Sequence, residues 1–486
     1  MSQPFFGEEF IFTQPDGTVL RVRGWGDQRH AAFTTLDGSL VVREPATGFY
    51  RAAAGAGETD EHPLGVARRI AGLVTHGCGE RSGGLLRPRW QTRRAQARAA
   101  RISDPQAKGF LPGPPGRKIL GDYLGLCLLV QFPDVQGTIS TGQIEAFCNQ
   151  RGYSEDGNRG SVYDYFFDNS GGRLRYTSIV APYYTARHPR SYYVDPGAPY
   201  GERACELIQE ALAHHIAEGL DFSGLSADNG GAVFATNVLY AGRRVNCWQQ
   251  GLWPHASRLT EPYPLLPGLF VCDYQITELD SAITLGTYCH ENGHMLCDFP
   301  DLYDLDDDSA GIGAYCLMSG GGLIDRCNPA QICAYLKYRA GWARSVTRVT
   351  PGLKATLVAG THDFFIHAKD LREYFLIENR CRVGRDSALP ASGLAIWHVD
   401  EEGDNSRQER LPGSHFECAL VQADGQYDLE HKRDLGDEGD LFHAGWRNRF
   451  ADHTSPASRW WDGTSSGLDV SEIGPDGPLM RFSANI

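Results

Sequence analysis

The chain has 486 residues, a length that suits about three domains. Its 46 basic residues against 60 acidic ones leave a net charge of −14, which argues against nucleic acid as a main partner, because phosphate binding needs a concentrated basic surface. No apolar run approaches the roughly 20 residues of a membrane-spanning helix, and "MSQPFFGEEF" lacks the basic stretch and long apolar core of a secretory signal. At face value the protein is cytoplasmic, and its 13 cysteines, an odd number, are expected as free thiols.

In chain order, residues 1 to about 60 read as short strands, because "TQPDGTVLRVRGWGDQ" and "FTTLDGSLVVREPATGFY" set Asp-Gly or Thr-Gly between alternating apolar segments. Residues 84–118 are basic and end in a Pro/Gly cluster, the pattern of an exposed linker, partly helical and easily cut. "LGLCLLVQF" (124–132) and "GAVFATNVLYAG" (231–242) suit buried strands, and "CELIQEALAHHIAEG" (205–219) has helical spacing. After Trp342, "EYFLIENR", "GLAIWHVD", "FECALVQADG" and "LMRFSAN" are strand-like runs between polar turns, the pattern of a β-rich domain and most simply a sandwich.

The chemistry concentrates in "SAITLGTYCHENGHMLCDFPDLYD" (281–304). Its first part reads as a helix capped by Asp280 or Ser281. His290 and His294, four residues apart, share one helix face and can bind one zinc ion. Glu291, beside the first of them, can take a proton from a water held by the ion. A third ligand is required. The next histidine is His362 and the next glutamate Glu373, which leaves Asp298, Asp301, Asp304, Asp306, Asp307, Asp308 and Asp325. On a continued helix Asp298 would lie about 12 Å along the axis from His290, so the chain must leave the helix and fold back. Pro300 supplies the stop, with Asp301 next.

"HENGHMLCDFPDLYD", "SAGIGAYCLMSGGG" and "CNPAQICAYLKYRAGW" resemble the M6, or immune inhibitor A-like, metallopeptidases of the metzincin clan. So do "LLVQFPD", "GSVYDYFFDNSGGRL", "GLWPHAS", "ASGLAIWHVDEE" and "HTSPASRWWDGTSSGLDVSEI". The resemblance implies an α+β fold with a metzincin-like zinc peptidase domain (119–348), preceded by a propeptide-like β-hairpin region with a basic linker (1–118) and followed by a β-sandwich (349–486). It implies Zn²⁺ held by His290, His294 and Asp301, Glu291 as general base and Met318 as the methionine turn beneath the metal; Asp304, the second acidic residue of "PDLYD", is the fallback ligand. Cys297 stands where the family pattern has glycine, and one extra residue precedes Pro300-Asp301. Because glycine removes the cost of a left-handed backbone and cysteine does not, the loop must turn in another way.

The leading expectation is therefore a monomeric zinc endopeptidase acting on proteins or peptides. The alternatives are a catalytically silent zinc-binding protein acting through its β-rich domain, and a zinc hydrolase with a non-peptide substrate. The resemblance also implies export, against the face-value reading of the N-terminus, and latency relieved by a cut between Arg89 and Arg117. Cys78, in "THGCGERSGG", is a candidate thiolate ligand in the latent form, with a bystander cysteine the plainer reading. "DLDDDSAGIG", "HVDEEGDN" and "LGDEGD" are acidic loops of a kind that can hold Ca²⁺. His255, in "LWPHAS", reads as a satisfied structural histidine.

Overall fold

The computed structural model describes residues 4–28, 31–44, 46–53, 85–102, 117–305, 309–405 and 410–486. Its helices are α1 (Arg89–Ile102), α2 (Thr141–Asn149), α3 (Val162–Asn169), α4 (Arg190–Tyr193), α5 (Glu202–Ala217), α6 (Leu285–Cys297) and α7 (Ala334–Arg339). None of the described helices is long and apolar enough to cross a membrane. The chain divides into two units.

The first unit takes in Met1–Arg89, Tyr123–Asp156 and Tyr176–Thr284. It opens with β1 (Phe5–Thr13), β2 (Val19–Gly26), β3 (Ala31–Thr35), β4 (Leu40–Arg43) and β5 (Tyr50–Ala52), an antiparallel sheet in chain order. The expected hairpin chemistry is present: the Asp16 carboxylate accepts the Thr18 N–H at 2.9 Å, and Gly17 sits at φ 84°. Phe5, Phe10, Phe12 and Phe33 bury one face of this sheet against Tyr200, Cys247 and Trp253. Gly24 is required there, because a Cβ would meet the Phe33 and Phe10 rings at 2.6 and 2.7 Å.

A second sheet has the order β10-β11-β9-β6-β7, from β6 (Gly121–Gln131), β7 (Leu174–Val180), β9 (Thr236–Ala241), β10 (His255–Leu266) and β11 (Leu269–Leu279), with β8 (Tyr184–Thr185) also paired to β6. β6, β9 and β11 run parallel. Parallel strands are covered on both faces, which is why 124–132 reads as a continuous apolar run and 231–242 as a largely apolar one. Leu207, Ile208, Ala211 and Leu212 of α5 bury onto Leu126, Leu128, Val130 and Val238. The β10–β11 hairpin was not legible: its register shifts between Arg258 and Tyr263 and again between Pro264 and Leu266, which breaks the period-two pattern. His255 is buried, with its ring nitrogens 2.7 Å from the Trp253 carbonyl and 3.0 Å from the Tyr274 hydroxyl. Burial pushes its pKa down to about 4, in keeping with a structural histidine.

The second unit takes in Trp90–Asp122, Gly157–Arg175 and Leu285–Ile486. One sheet has the order β12-β14-β15-β16-β17, from β12 (Ser345–Arg348), β14 (Asp363–Ala368), β15 (Glu373–Arg380), β16 (Gly393–Asp400) and β17 (Cys418–Leu420). A smaller sheet has the order β13-β19-β18, from β13 (Leu353–Val358), β18 (Asp469–Ser471) and β19 (Leu479–Asn485). Phe375, Ile377, Leu394 and Ile396 of the first share one core with Leu357, Val470, Met480 and Phe482 of the second. Two sheets closing on a common core is the arrangement expected of short strand-like runs between polar turns. The molecule is thus mixed α+β, with several sheets and few helices.

One expectation is met in part. The partial helix expected within residues 84–118 is present as α1 (Arg89–Ile102), but the segment is not simply exposed, because Trp90 is only 2% exposed. The alanines, arginines and glutamines that made the segment look solvated are also good helix formers, and the single tryptophan gives the helix a buried anchor. Residues 103–116, and Cys78 with its surroundings, lie outside the described residues. The twelve described cysteines are free thiols.

Arg380 ties the larger C-terminal sheet to the segment that carries Met318. Its guanidinium, 2% exposed, donates to both Asp386 oxygens at 2.8 and 2.7 Å and to the Tyr315 carbonyl at 2.7 Å. Arg380→Ala leaves the buried Asp386 carboxylate without this partner. The expected loss of unfolding free energy is about 3–5 kcal/mol, read from denaturant titration. A loss below about 1 kcal/mol would show that the pair does not hold this junction.

Candidate metal centre

Helix α6 is buried along nearly its whole length, so burial rather than amphipathic patterning places it. Two glycines let it approach its neighbours. A Cβ on Gly286 would fall 2.2 Å from the Gly322 carbonyl oxygen, and one on Gly293 would fall 2.7 Å from the Met318 Sδ. The helix begins at Leu285, beyond the cap expected at Asp280 or Ser281. Its first free N–H groups are satisfied from elsewhere: Leu285 donates to the Asn158 side chain at 3.3 Å and Gly286 to the Arg326 carbonyl at 2.9 Å. With those partners no local Asp or Ser cap is needed.

The helix ends by a one-residue left-handed turn. Cys297 remains helical, and Asp298 adopts φ 56°. The Asp298 N–H donates to the His294 carbonyl at 2.9 Å, the bond of a left-handed helix stop, and the Phe299 N–H donates to the Gly293 carbonyl at 3.2 Å. Asp tolerates this conformation better than most residues. The turn expected of a glycine is thus made one position later, by Asp298, and that shift accommodates the extra residue ahead of Pro300.

The returning chain brings three donors together. His290 Nε2, His294 Nε2 and an Asp301 Oδ1 lie 3.0–3.1 Å from one another. All three side chains are within 1% of full burial. Tetrahedral ligands about 2.0–2.1 Å from one ion stand roughly 3.3 Å apart, so this spacing fits a single metal. The other ring nitrogens are committed: His290 Nδ1 is 3.0 Å from the Leu317 carbonyl and His294 Nδ1 is 2.6 Å from the Phe299 carbonyl. Those carbonyls hold the protons on Nδ1 and turn the Nε2 lone pairs inward. Asp301 Oδ2 is buried with no hydrogen-bond partner among the described residues. Burial alone raises a carboxyl pKa, but the two imidazoles outweigh it and hold Asp301 well below the usual carboxylate range. Burial likewise works to lower the His290 pKa, and the hydrogen bond and charge of Asp301 outweigh it and raise the net value.

The neighbours fix this geometry. The Asp301 carbonyl accepts from the Asn405 side chain, and the Leu302 N–H donates to the Met318 carbonyl at 2.7 Å. Met318 is fully buried against α6 at Gly293. Glu291 is 2% exposed on the same helix. The other aspartates weighed as ligands are occupied elsewhere. Asp298 pairs with Arg93 at 2.8 Å and Arg117 at 3.4 Å, and Asp304 accepts the Ser309 N–H at 3.0 Å. Asp325 accepts the N–H groups of Cys327 and Asn328 at 3.1 and 3.0 Å. Asp306, Asp307 and Asp308 lie outside the described residues. Trp90 and Asn405 were missed by sequence reasoning. A lone tryptophan in a basic segment was the available signal for the first, and the second, more than a hundred residues downstream, gave none.

A second group of carboxylates, Asp424, Asp428 and Asp437, also comes within 4.8 Å. Asp428 there is paired with Arg433, and exposed acidic groups are common without an ion.

Residues 220–347 match the family model described as immune inhibitor A peptidase M6, catalytic domain. The matched span holds α6, Asp301 and Met318, and over it the resemblance drawn from the sequence is met. Comparison with curated proteins gives no match.

Asp301→Ala should cost at least about 100-fold in metal affinity, more than the loss typical of an outer-shell partner. Asp304→Ala and Asp298→Ala should stay within about tenfold of the parent. The check is zinc stoichiometry and competition with a chromogenic chelator on all three variants. Tight binding by Asp301→Ala beside loss in either of the others would move the ligand.

Proposed function

We propose, from a chain whose residues 220–347 match the M6 catalytic domain, that the protein is a zinc endopeptidase with His290, His294 and Asp301 as metal ligands. The supporting observation is the convergence of two Nε2 atoms and one carboxylate oxygen within 3.1 Å, with both Nδ1 atoms tied to backbone carbonyls. Two imidazoles and a carboxylate suit zinc and leave one position for water or substrate. Zinc, when bound, supplies Lewis acidity that polarises the scissile carbonyl and makes water easier to deprotonate. Glu291 then takes the proton of the attacking water and passes it to the leaving amine. The Leu317 and Phe299 carbonyls keep the imidazoles in the right tautomer, and Met318 backs the helix between its two histidines.

We infer further that the N-terminal sheet and α1 form a propeptide, and that the chain is latent until cut before residue 118. The apolar sheet face of 5–52 and the basic, Pro/Gly-punctuated sequence after α1 motivate this reading.

Glu291→Gln should bind one zinc per chain like the parent and lose about 10²- to 10⁴-fold in casein cleavage. Undiminished cleavage by the purified variant would remove Glu291 from the mechanism. Brief trypsin treatment of the parent should raise casein cleavage and leave a fragment beginning near residues 103–118. An intact chain already as active as the trimmed one would show that it is not latent.

A further inference from the structure

Helix α1 makes a dense set of contacts with the residues that build the metal centre. The Trp90 ring lies flat on the His294 imidazole, with centroids 4.6 Å apart and planes 14° from parallel. Trp90 is 2% exposed and His294 fully buried, so the indole seals that side of the ligand. One turn on, the Arg93 guanidinium donates to the Asp298 carboxylate at 2.8 Å and to the Met295 carbonyl at 3.0 Å. It therefore grips both the last turn of α6 and the residue at which the chain turns back. Arg94 forms an ion pair with Glu417, and Arg98 lies 3.8 Å from the same carboxylate.

Glu417 sits in a buried acidic recess. Its side chain is 3% exposed, and it neighbours Glu401, with Arg339 the cation close to both. Tyr335 donates to Glu417, and Tyr374 donates to Glu401 at 2.8 Å. Two carboxylates against one internal cation leave negative charge for Arg94 and Arg98 to neutralise. Burial pushes the Glu417 pKa up, but the charges of Arg94, Arg339 and Arg98 outweigh it and hold the carboxyl at about 2. The recess connects to the metal ligands through one side chain. Asn405 donates to the Asp301 carbonyl and accepts the Glu417 N–H at 3.4 Å.

We propose that α1 is an inhibitory latch carried in the chain itself: Trp90 caps the metal centre at His294, while Arg93 on Asp298 and Arg94 with Arg98 on Glu417 clamp the helix over it. This rests on the zinc-centre reading above and assigns its latency to named contacts. The latch is electrostatic at both clamps and apolar at the cap, so charge reversal and truncation of the indole open it by independent routes. A cut within residues 103–116 frees the C-terminal side of α1 from Arg117, whose guanidinium also bonds the Leu296 carbonyl and Asp298.

The test uses the full chain, zinc-loaded, in the Glu291→Gln background so that nothing is digested. A peptide hydroxamate is titrated against the parent, Trp90→Ala, Trp90→Phe and the double variant Arg94→Glu with Arg98→Glu. Hydrogen–deuterium exchange is followed over residues 89–102. If α1 is a latch, Trp90→Ala and the double variant bind the hydroxamate at least tenfold tighter and exchange faster in 89–102. Trp90→Phe stays near the parent, because an aromatic ring still covers His294. Hydroxamate affinity within twofold of the parent in both opened variants overturns the proposal. So does weaker affinity with loss of zinc, since α1 would then support the site rather than cover it. These readouts do not depend on hydrolysis. A chain that opens as described yet never cleaves casein with Glu291 restored would refute the peptidase reading and leave the latch standing.

Discussion

A carboxylate held against two imidazoles in a fully buried place is the contact on which the rest depends. Burying an ionised carboxylate costs several kcal/mol even after relaxation, and Asp301 is only 2% exposed. Its placement is tolerable only because the two Nε2 atoms face one of its oxygens and a cation can stand among them. The constraint acts backwards along the chain. To bring Asp301 to His290, eleven residues earlier, α6 must stop and reverse within four residues of His294. That requirement explains the left-handed Asp298, the Pro300 that follows and the carbonyl of Phe299 that meets His294.

Much of the surrounding structure holds this one reversal in place. Met318 occupies the space that Gly293 leaves open and receives the Leu302 N–H on its carbonyl, so one residue backs both the helix and the returning chain. Arg380 bonds the Tyr315 carbonyl and anchors that segment to the C-terminal sheet. Asn405 reaches the Asp301 carbonyl from the chain beyond β16. The Trp342 indole donates to the Ile119 carbonyl at 2.8 Å and packs edge-on against Phe299. The C-terminal sheets are therefore part of the architecture that locates His290, His294 and Asp301 within this unit.

What the sequence revealed followed from periodicity and spacing. The helical spacing of 205–219, the continuous apolar run of β6, the short strand-like runs of β15, β16 and β19 between polar turns, and the Asp-Gly turn of the first hairpin each carry a local signal. The pair His290 and His294 with Glu291 was legible because four residues make one helical turn. Asp301 could be ranked because the proline before it must end the helix. The start of α6 was misjudged because Asn158, more than a hundred residues away, does the work of a local cap. The helix in 84–118 was anticipated, but its burial was not, because its arginines look solvated until their partners, Asp298 and Glu417, are seen. Long-range pairing leaves no periodic trace, and the substitution of Asp298 for a glycine turn is invisible without backbone angles.

The most direct test of the centre is anomalous diffraction at the zinc edge from crystals of the zinc-loaded full chain. The expected result is a single strong peak about 2.0–2.2 Å from His290 Nε2, His294 Nε2 and an Asp301 oxygen. A peak ligated by Asp304 in place of Asp301, or one that takes no ligand from residues 298–304, would contradict the account.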